Sequence, residues 1–249
     1  MKEEKPALYA LKFLFIAFLS AVLIFLVAFS FEKIIEKRSN DSSLPTSIAS
    51  QKISVVIDPG HGGEDAGAIA PDGTYEKSLN LEISNLLRAL CILNGMNVKM
   101  TRETDTLLYD YYGDLENYTG QKKVYDLKNR VKIASESPEA IFVSIHMNKF
   151  PEEKYSGTQI YYSKNNEQSK GIATELSKEI KEYLQPKSKR QIKAADSSIY
   201  VLNNAQNPAI LVECGFISNE DELEKLKTES YQASLALVIF SSLAKNKNA

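Results

Sequence analysis

Residues 53–61 read Ile53-Ser54-Val55-Val56-Ile57-Asp58-Pro59-Gly60-His61: a short apolar run rich in β-branched side chains, halted by Asp-Pro-Gly and followed at once by a histidine. A run of this length and composition predicts a buried strand. The pattern recurs downstream, where Ala140-Ile141-Phe142-Val143-Ser144-Ile145 leads to His146 and Ile210-Leu211-Val212 leads to Glu213. Val98 to Thr101 and Thr158 to Tyr162 are further strand candidates. Helical spacing fills the gaps between them. From Glu76 to Asn94 the apolar residues Leu79, Ile83, Leu86, Leu90 and Leu93 return every three or four positions, and Gly95 terminates the pattern. Leu127 to Ser135, Gly171 to Leu184 and a final segment from Glu220 to Ala244 also read as helices. Strands alternating with helices predict an α/β fold: a three-layer domain with a central, mostly parallel twisted sheet and helices on both faces. Open sheets of this kind collect functional residues beyond the carboxyl ends of their strands, the position predicted for His61, His146 and Glu213.

The composition of the 249-residue chain, 43% hydrophobic and 25% charged, is that of a globular protein with one substantial core. Its 30 Lys and Arg nearly cancel its 32 Asp and Glu. Without excess positive charge to neutralise phosphates, nucleic acid is excluded as the expected partner. Two cysteines, Cys91 and Cys214, make no disulfide framework and read as small core residues. The chain has only two histidines, His61 and His146, and both follow strand candidates.

The uncharged stretch Phe13 to Phe31 is about long enough to span hydrocarbon and predicts one N-terminal transmembrane helix. Residues 1–12 would then be a cytoplasmic segment, 13–31 a signal anchor, 32–51 a linker rich in Ser and Asn, and 52–249 the catalytic domain. Lysines before the span are matched by Lys33, Lys37 and Arg38 after it, so charge counting does not orient it. Cleavage at small residues such as Ala28 or Ser30 would give a secreted form instead. Residues 107–125 hold five tyrosines without a clear period and read as a surface loop covering its own base. Lys187, Lys189, Arg190 and Lys193 read as a solvated basic stretch within reach of an anionic ligand.

Four ordered pieces carry a resemblance: IDPGHGGEDAGA (Ile57 to Ala68), YEKSLNL (Tyr75 to Leu81), SIHMN (Ser144 to Asn148) and PAILVECGFISN (Pro208 to Asn219). Together they resemble the zinc-dependent N-acetylmuramoyl-L-alanine amidases (amidase type 3), and the similarity spans Ile53 to Leu243. The resemblance implies Zn2+ held by His61, Glu76 and His146, with Glu213 in the catalytic-glutamate position. It implies hydrolysis of the amide between the lactyl group of N-acetylmuramic acid and L-alanine, and hence peptidoglycan as substrate. Such a substrate places the catalytic domain outside the cytoplasm, on a single-pass anchor in the cell membrane.

The chemistry is consistent with these roles. Zinc hydrolysis uses three protein ligands, one open position and a base that does not bind the metal. Gly60, Gly62 and Gly63 let the backbone turn tightly around His61, while Glu64 and Asp65 are nearby acids expected to shape that loop. The compact layout is similar to the spore-cortex, germination-specific subgroup, with targeting left to the membrane helix or a protein activator. Asn203 and Ser135 depart from the family pattern, which bears on substrate contacts. Two rivals remain open at this point: another zinc hydrolase such as a stem-peptide peptidase, and a membrane-tethered wall-binding scaffold with a weak metal site.

Overall fold

The computed structural model describes residues 53–113 and 121–246. The segments expected at 1–12, 13–31 and 32–51, and the middle of the Tyr-rich stretch, lie outside the described residues. Among the described residues no helix is long and apolar enough to cross a membrane.

The described chain forms strands β1 (Ser54–Pro59), β2 (Asn97–Met100), β3 (Ile141–Asn148), β4 (Gln159–Tyr162), β5 (Lys193–Ala194) and β6 (Ala209–Phe216). The helices are α1 (Glu76–Leu93), α2 (Lys122–Ser135), α3 (Gln168–Tyr183), α4 (Tyr200–Asn204), α5 (Glu220–Leu226) and α6 (Glu229–Lys245). One six-stranded sheet runs in the order β2-β1-β3-β6-β4-β5. It is mixed rather than uniform: β4 pairs antiparallel with β6, and the other pairings are parallel.

Helices cover both faces, giving three layers. On one face α1, α3 and α6 bury Leu79, Ile83, Leu87, Ile172, Leu176, Ile180 and Leu235 against alternate strand residues such as Val55, Ile57, Val143 and Val212. Each fully buried aliphatic side chain contributes about 1.5–3 kcal/mol, so this layer supplies most of the apolar stabilisation. On the other face α2 and α4 pack Ile133, Ala134, Val201 and Leu202 over Val56, Phe142 and Leu211. Cys91 and Cys214 are both free and buried, and burial pushes the Cys91 thiol up to about 12.

Several boundaries differ from the sequence expectation, each for a physical reason. β3 and β6 do not end before His146 and Glu213 but run through them, because the parallel ladder continues and pairs His146 with Glu213 directly. The expected helix 220–244 is two helices, since Asn219 caps the Glu222 amide of α5 and Thr228 caps the Tyr231 amide of α6. Gly95, at φ 77°, closes α1 as expected, with Met96 N–H bonding Cys91 O and Gly95 N–H bonding Ile92 O.

Candidate metal centre

Alternation along the strands sets the site. On the face covered by α2 and α4, side chains grade from apolar to polar toward the carboxyl ends: Val56 then Asp58 on β1, Phe142, Ser144 then His146 on β3, Leu211 then Glu213 on β6. A strand buried on both sides thus hands its last residues to chemistry without breaking the ladder. His61 lies two residues past β1, and Glu76 opens α1.

His61, Glu76 and His146 each offer one ligand atom, and these atoms all lie within 4.8 Å of one another. His146 Nδ1 is 2.9 Å and His61 Nε2 3.2 Å from Glu76 Oε1. The other nitrogen of His61, Nδ1, is 2.8 Å from Asp65 Oδ2, a carboxylate partner that fixes which ring nitrogen faces the cluster. Glu76 is itself held in place, its Oε2 accepting from Ala68 N–H at 2.7 Å and its Oε1 from Met147 N–H at 3.0 Å. Burial disfavours the charged form of Glu76, yet the two histidines hold its carboxyl well below the usual range. Burial also works against a charged His61, but Asp65 and Glu76 outweigh it and raise the pKa to about 9. Two imidazole nitrogens and one carboxylate oxygen converging in this way are a donor set that suits a divalent cation.

Two glycines make room for the rings. A Cβ on Gly60 would stand 2.2 Å from His146 Cε1 and Nε2, and one on Gly67 would meet Glu76 Oε2 at 2.6 Å and His61 Cδ2 at 2.7 Å. Gly60 was expected to ease a turn; its larger task is this close approach. Gly67 had drawn no attention in the sequence.

His61 adopts φ 61°, a left-handed conformation costing a non-glycine residue about 1–3 kcal/mol. Two buried arginines hold it. Arg130 donates to Pro59 O at 2.8 Å and His61 O at 2.7 Å, while Arg102 donates to Pro59 O at 2.9 Å and Gly60 O at 3.0 Å. Arg130 is in turn compensated by Asp58 at 2.6 Å and Asp126 at 2.7 Å, all three being buried. Asp58 also accepts from Thr101 and Ser144, both at 2.6 Å. Burial alone would raise the Asp58 pKa, but Arg130 and these hydroxyls carry it below the ordinary carboxylate value.

Glu213 faces the same cavity of about 240 Å³ as His61, His146, Asp65 and Arg130. Its Oε2 is buried with no hydrogen-bond partner among the described residues. Burial, reinforced by the charge of Glu76 and opposed by His146 and His61, pushes Glu213 up to about 7. A carboxyl poised there can take and return a proton near neutral pH. Three of the four sequence-named residues, His61, His146 and Glu213, therefore line one cavity, and Glu76 reaches the two histidines from behind it. Glu64 instead turns outward to Lys122. Asn203 and Ser135 lie at the surface, Ser135 bonding back to Lys132 O.

The family model described as N-acetylmuramoyl-L-alanine amidase matches residues 55–245. The germination-specific N-acetylmuramoyl-L-alanine amidase of Bacillus subtilis is 31% identical over 222 residues, covering 89% of this chain and 89% of that protein. The CwlD amidase of Clostridioides difficile, solved in complex with the GerS lipoprotein, superposes with a TM-score of 0.72 at 39% identity, covering 78% of this chain and 98% of that one. The catalytic domain of CwlV from Bacillus (Paenibacillus) polymyxa var. colistinus gives 0.63 at 29% identity, covering 78% and 97%. With a match of this extent lying over the cavity just described, the chain belongs to the N-acetylmuramoyl-L-alanine amidase family and is an amidase of peptidoglycan.

Proposed function

We propose that His61, Glu76 and His146 hold one zinc ion and that Glu213 is the general base for cleavage of the lactyl–L-alanine amide. The observation that carries this reading is the meeting of three ligand atoms within 4.8 Å beside a buried, unpartnered Glu213 oxygen. The donor set fits the metal: two imidazoles and one carboxylate form a three-ligand set with a position left open. Bound zinc supplies Lewis acidity at the carbonyl and makes water nucleophilic near neutral pH. Glu213 removes the proton of the attacking water as the new carbon–oxygen bond forms, then delivers it to the L-alanine nitrogen as the carbon–nitrogen bond breaks. The products are a lactyl carboxylate and a free peptide amine. Asp65 keeps His61 turned toward the cluster, and Arg130 with Arg102 keeps its backbone there.

We further infer that the chain acts on spore-cortex peptidoglycan from the outer side of the cytoplasmic membrane, held by residues 13–31. Support comes from the germination-specific name of the Bacillus subtilis relative and from the length of the uncharged stretch. A protein activator fits the same reading, since the CwlD amidase was solved with a lipoprotein.

The decisive experiment digests purified peptidoglycan with the full chain in detergent, with and without zinc, and identifies new ends by mass spectrometry. His146→Ala is expected to lose metal and activity together. Full zinc occupancy in both His61→Ala and His146→Ala would refute the ligand set. Protease protection on intact cells tests location, where a soluble cytoplasmic product with its N-terminus intact overturns the anchor.

A further inference from the structure

The basic stretch noted in the sequence is part of a larger feature. Together with Lys154 and Lys225, residues Lys187, Lys189 and Arg190 line a cavity of about 690 Å³, a volume suited to a small ligand. Its one carboxylate, Glu222, is occupied by the backbone: Oε1 accepts from Gly157 N–H and Oε2 from Phe216 N–H, both at 2.8 Å. Lys154 pairs with Glu152. Among the described residues, Lys187, Lys189, Arg190 and Lys225 take part in no ion pair, whereas Lys77, Arg88, Lys99, Lys122, Lys227 and Lys245 do. Lys170, Lys181 and Lys193 likewise form no ion pair among the described residues; what is particular here, in a chain whose formal net charge is −2, is that four such cations surround one cavity.

Arg190 ties this cavity to the catalytic one. Its Nε donates to Ser156 O at 2.7 Å, its Nη1 lies 3.4 Å from Gln159 Oε1, and its guanidinium rests on the Phe216 ring at 4.5 Å. Gln159 is the antiparallel register partner of Glu213, so both side chains leave the same face of the sheet with Cβ atoms about 4.5–5.5 Å apart. The guanidinium is thus fixed one side chain away from Glu213, and its Nη2 edge is bonded to nothing within the described residues. A planar fork held in this way is suited to receiving a carboxylate.

We propose that this cavity is a carboxylate-binding subsite, linked to the catalytic cavity through Arg190 and Gln159, that holds the anionic stem peptide on the L-alanine side of the cleaved bond. Lys187, Lys189 and Lys225 attract the stem carboxylates, and Arg190 orients the one closest to the reaction. The inference rests on the amidase reading above and adds to it where the peptide lies.

The test is made on binding, so that it does not depend on turnover. The full chain in detergent is titrated calorimetrically with the free stem peptide and with the same peptide carrying amidated carboxylates. The proposal expects the charged peptide to bind, raised salt to weaken it, and amidation to weaken it about tenfold. Lys187→Gln/Lys189→Gln/Lys225→Gln is expected to weaken the charged peptide by a similar factor at an unchanged melting temperature, and Arg190→Lys to weaken it less. Lys178→Gln, on the exposed side of α3, is the control and binds as the parent does. Equal affinity of parent and triple variant, or of charged and amidated peptide, overturns the subsite and leaves the basic wall to an acidic protein partner. Binding with the expected losses, together with full zinc occupancy in both His61→Ala and His146→Ala, would sustain the subsite and sink the proposed metal site.

Discussion

On the side of the sheet covered by α1, α3 and α6, the core is large and mainly aliphatic, with scattered buried polar residues such as Asn80, Ser84 and Gln232; on the side covered by α2 and α4, the core is smaller, rich in alanine, and gives way to Asp58, Arg130, Asp126, Ser144 and His146. The first side is held by area removed from water, which is non-directional and tolerates small repacking. The second is held by directed bonds between buried charges, which are unforgiving because each partner left alone keeps its desolvation penalty. The difference teaches where chemistry can reside in such a sheet. A face already made of directed bonds can aim a histidine, whereas the aliphatic side contributes to the site only at its edge, through Glu76 at the start of α1.

Four substitutions or conditions test that division. The largest effect belongs to Glu213→Gln, expected to lower the cleavage rate by about two to four orders of magnitude with zinc content and melting temperature nearly unchanged. Near-normal cleavage with zinc retained would remove Glu213 from its role. Arg130→Met comes next. It strands Asp58 and Asp126 in the core and is expected to destabilise by about 3–5 kcal/mol in denaturant unfolding while weakening zinc binding. If unfolding and metal titration both stay near the parent values, the polar face does not support the site.

The third test is acid. Because the folded pKa of Asp58 lies below its ordinary value, its contribution to stability is fully present above about pH 4 and disappears as pH falls through the folded value. Unfolding free energy measured from pH 5 downward should drop more steeply in the parent than in Asp58→Asn; parallel curves would disconnect this carboxylate from acid stability. The smallest effect is expected from Ile83→Val on the aliphatic face, about 0.5–1.5 kcal/mol with no change in zinc affinity. A shift in metal binding as large as that of Arg130→Met would erase the distinction between the faces.

Much of the fold was legible because both codes it uses are periodic. The β-branched runs at 53–57 and 140–145 mark β1 and β3, and the spacing of Leu79 and Ile83 marks α1. Strand ends were harder to read, since His146 and Glu213 look like stops in a hydrophobic pattern while the backbone ladder ignores side-chain polarity. The short β5 and α4 carry too few residues for any period to show. His61, Glu76, His146 and Glu213 stand in recognisable motifs; the structure gathers the first three within 4.8 Å of one another and lines one cavity with His61, His146 and Glu213. Arg130 went unremarked because charged helix residues usually face water. A sequence signal for it did exist: Asp126, Arg130 and Ile133 share one helix face, so an ion pair sits on the stripe that α2 buries.

The distances along the chain that this cavity closes have a consequence for how the protein comes to be built. His146 meets Glu76 across 70 residues, and Arg130 meets the His61 carbonyl across 69. Parallel strands pair only after long loops have been closed, so contacts of this span form slowly and late. The residues of the proposed ligand set are consequently not together in early, locally ordered forms of the chain. On the proposed function, zinc would join a framework already folded and act as a lock on the finished molecule, slowing its unfolding far more than it speeds its folding.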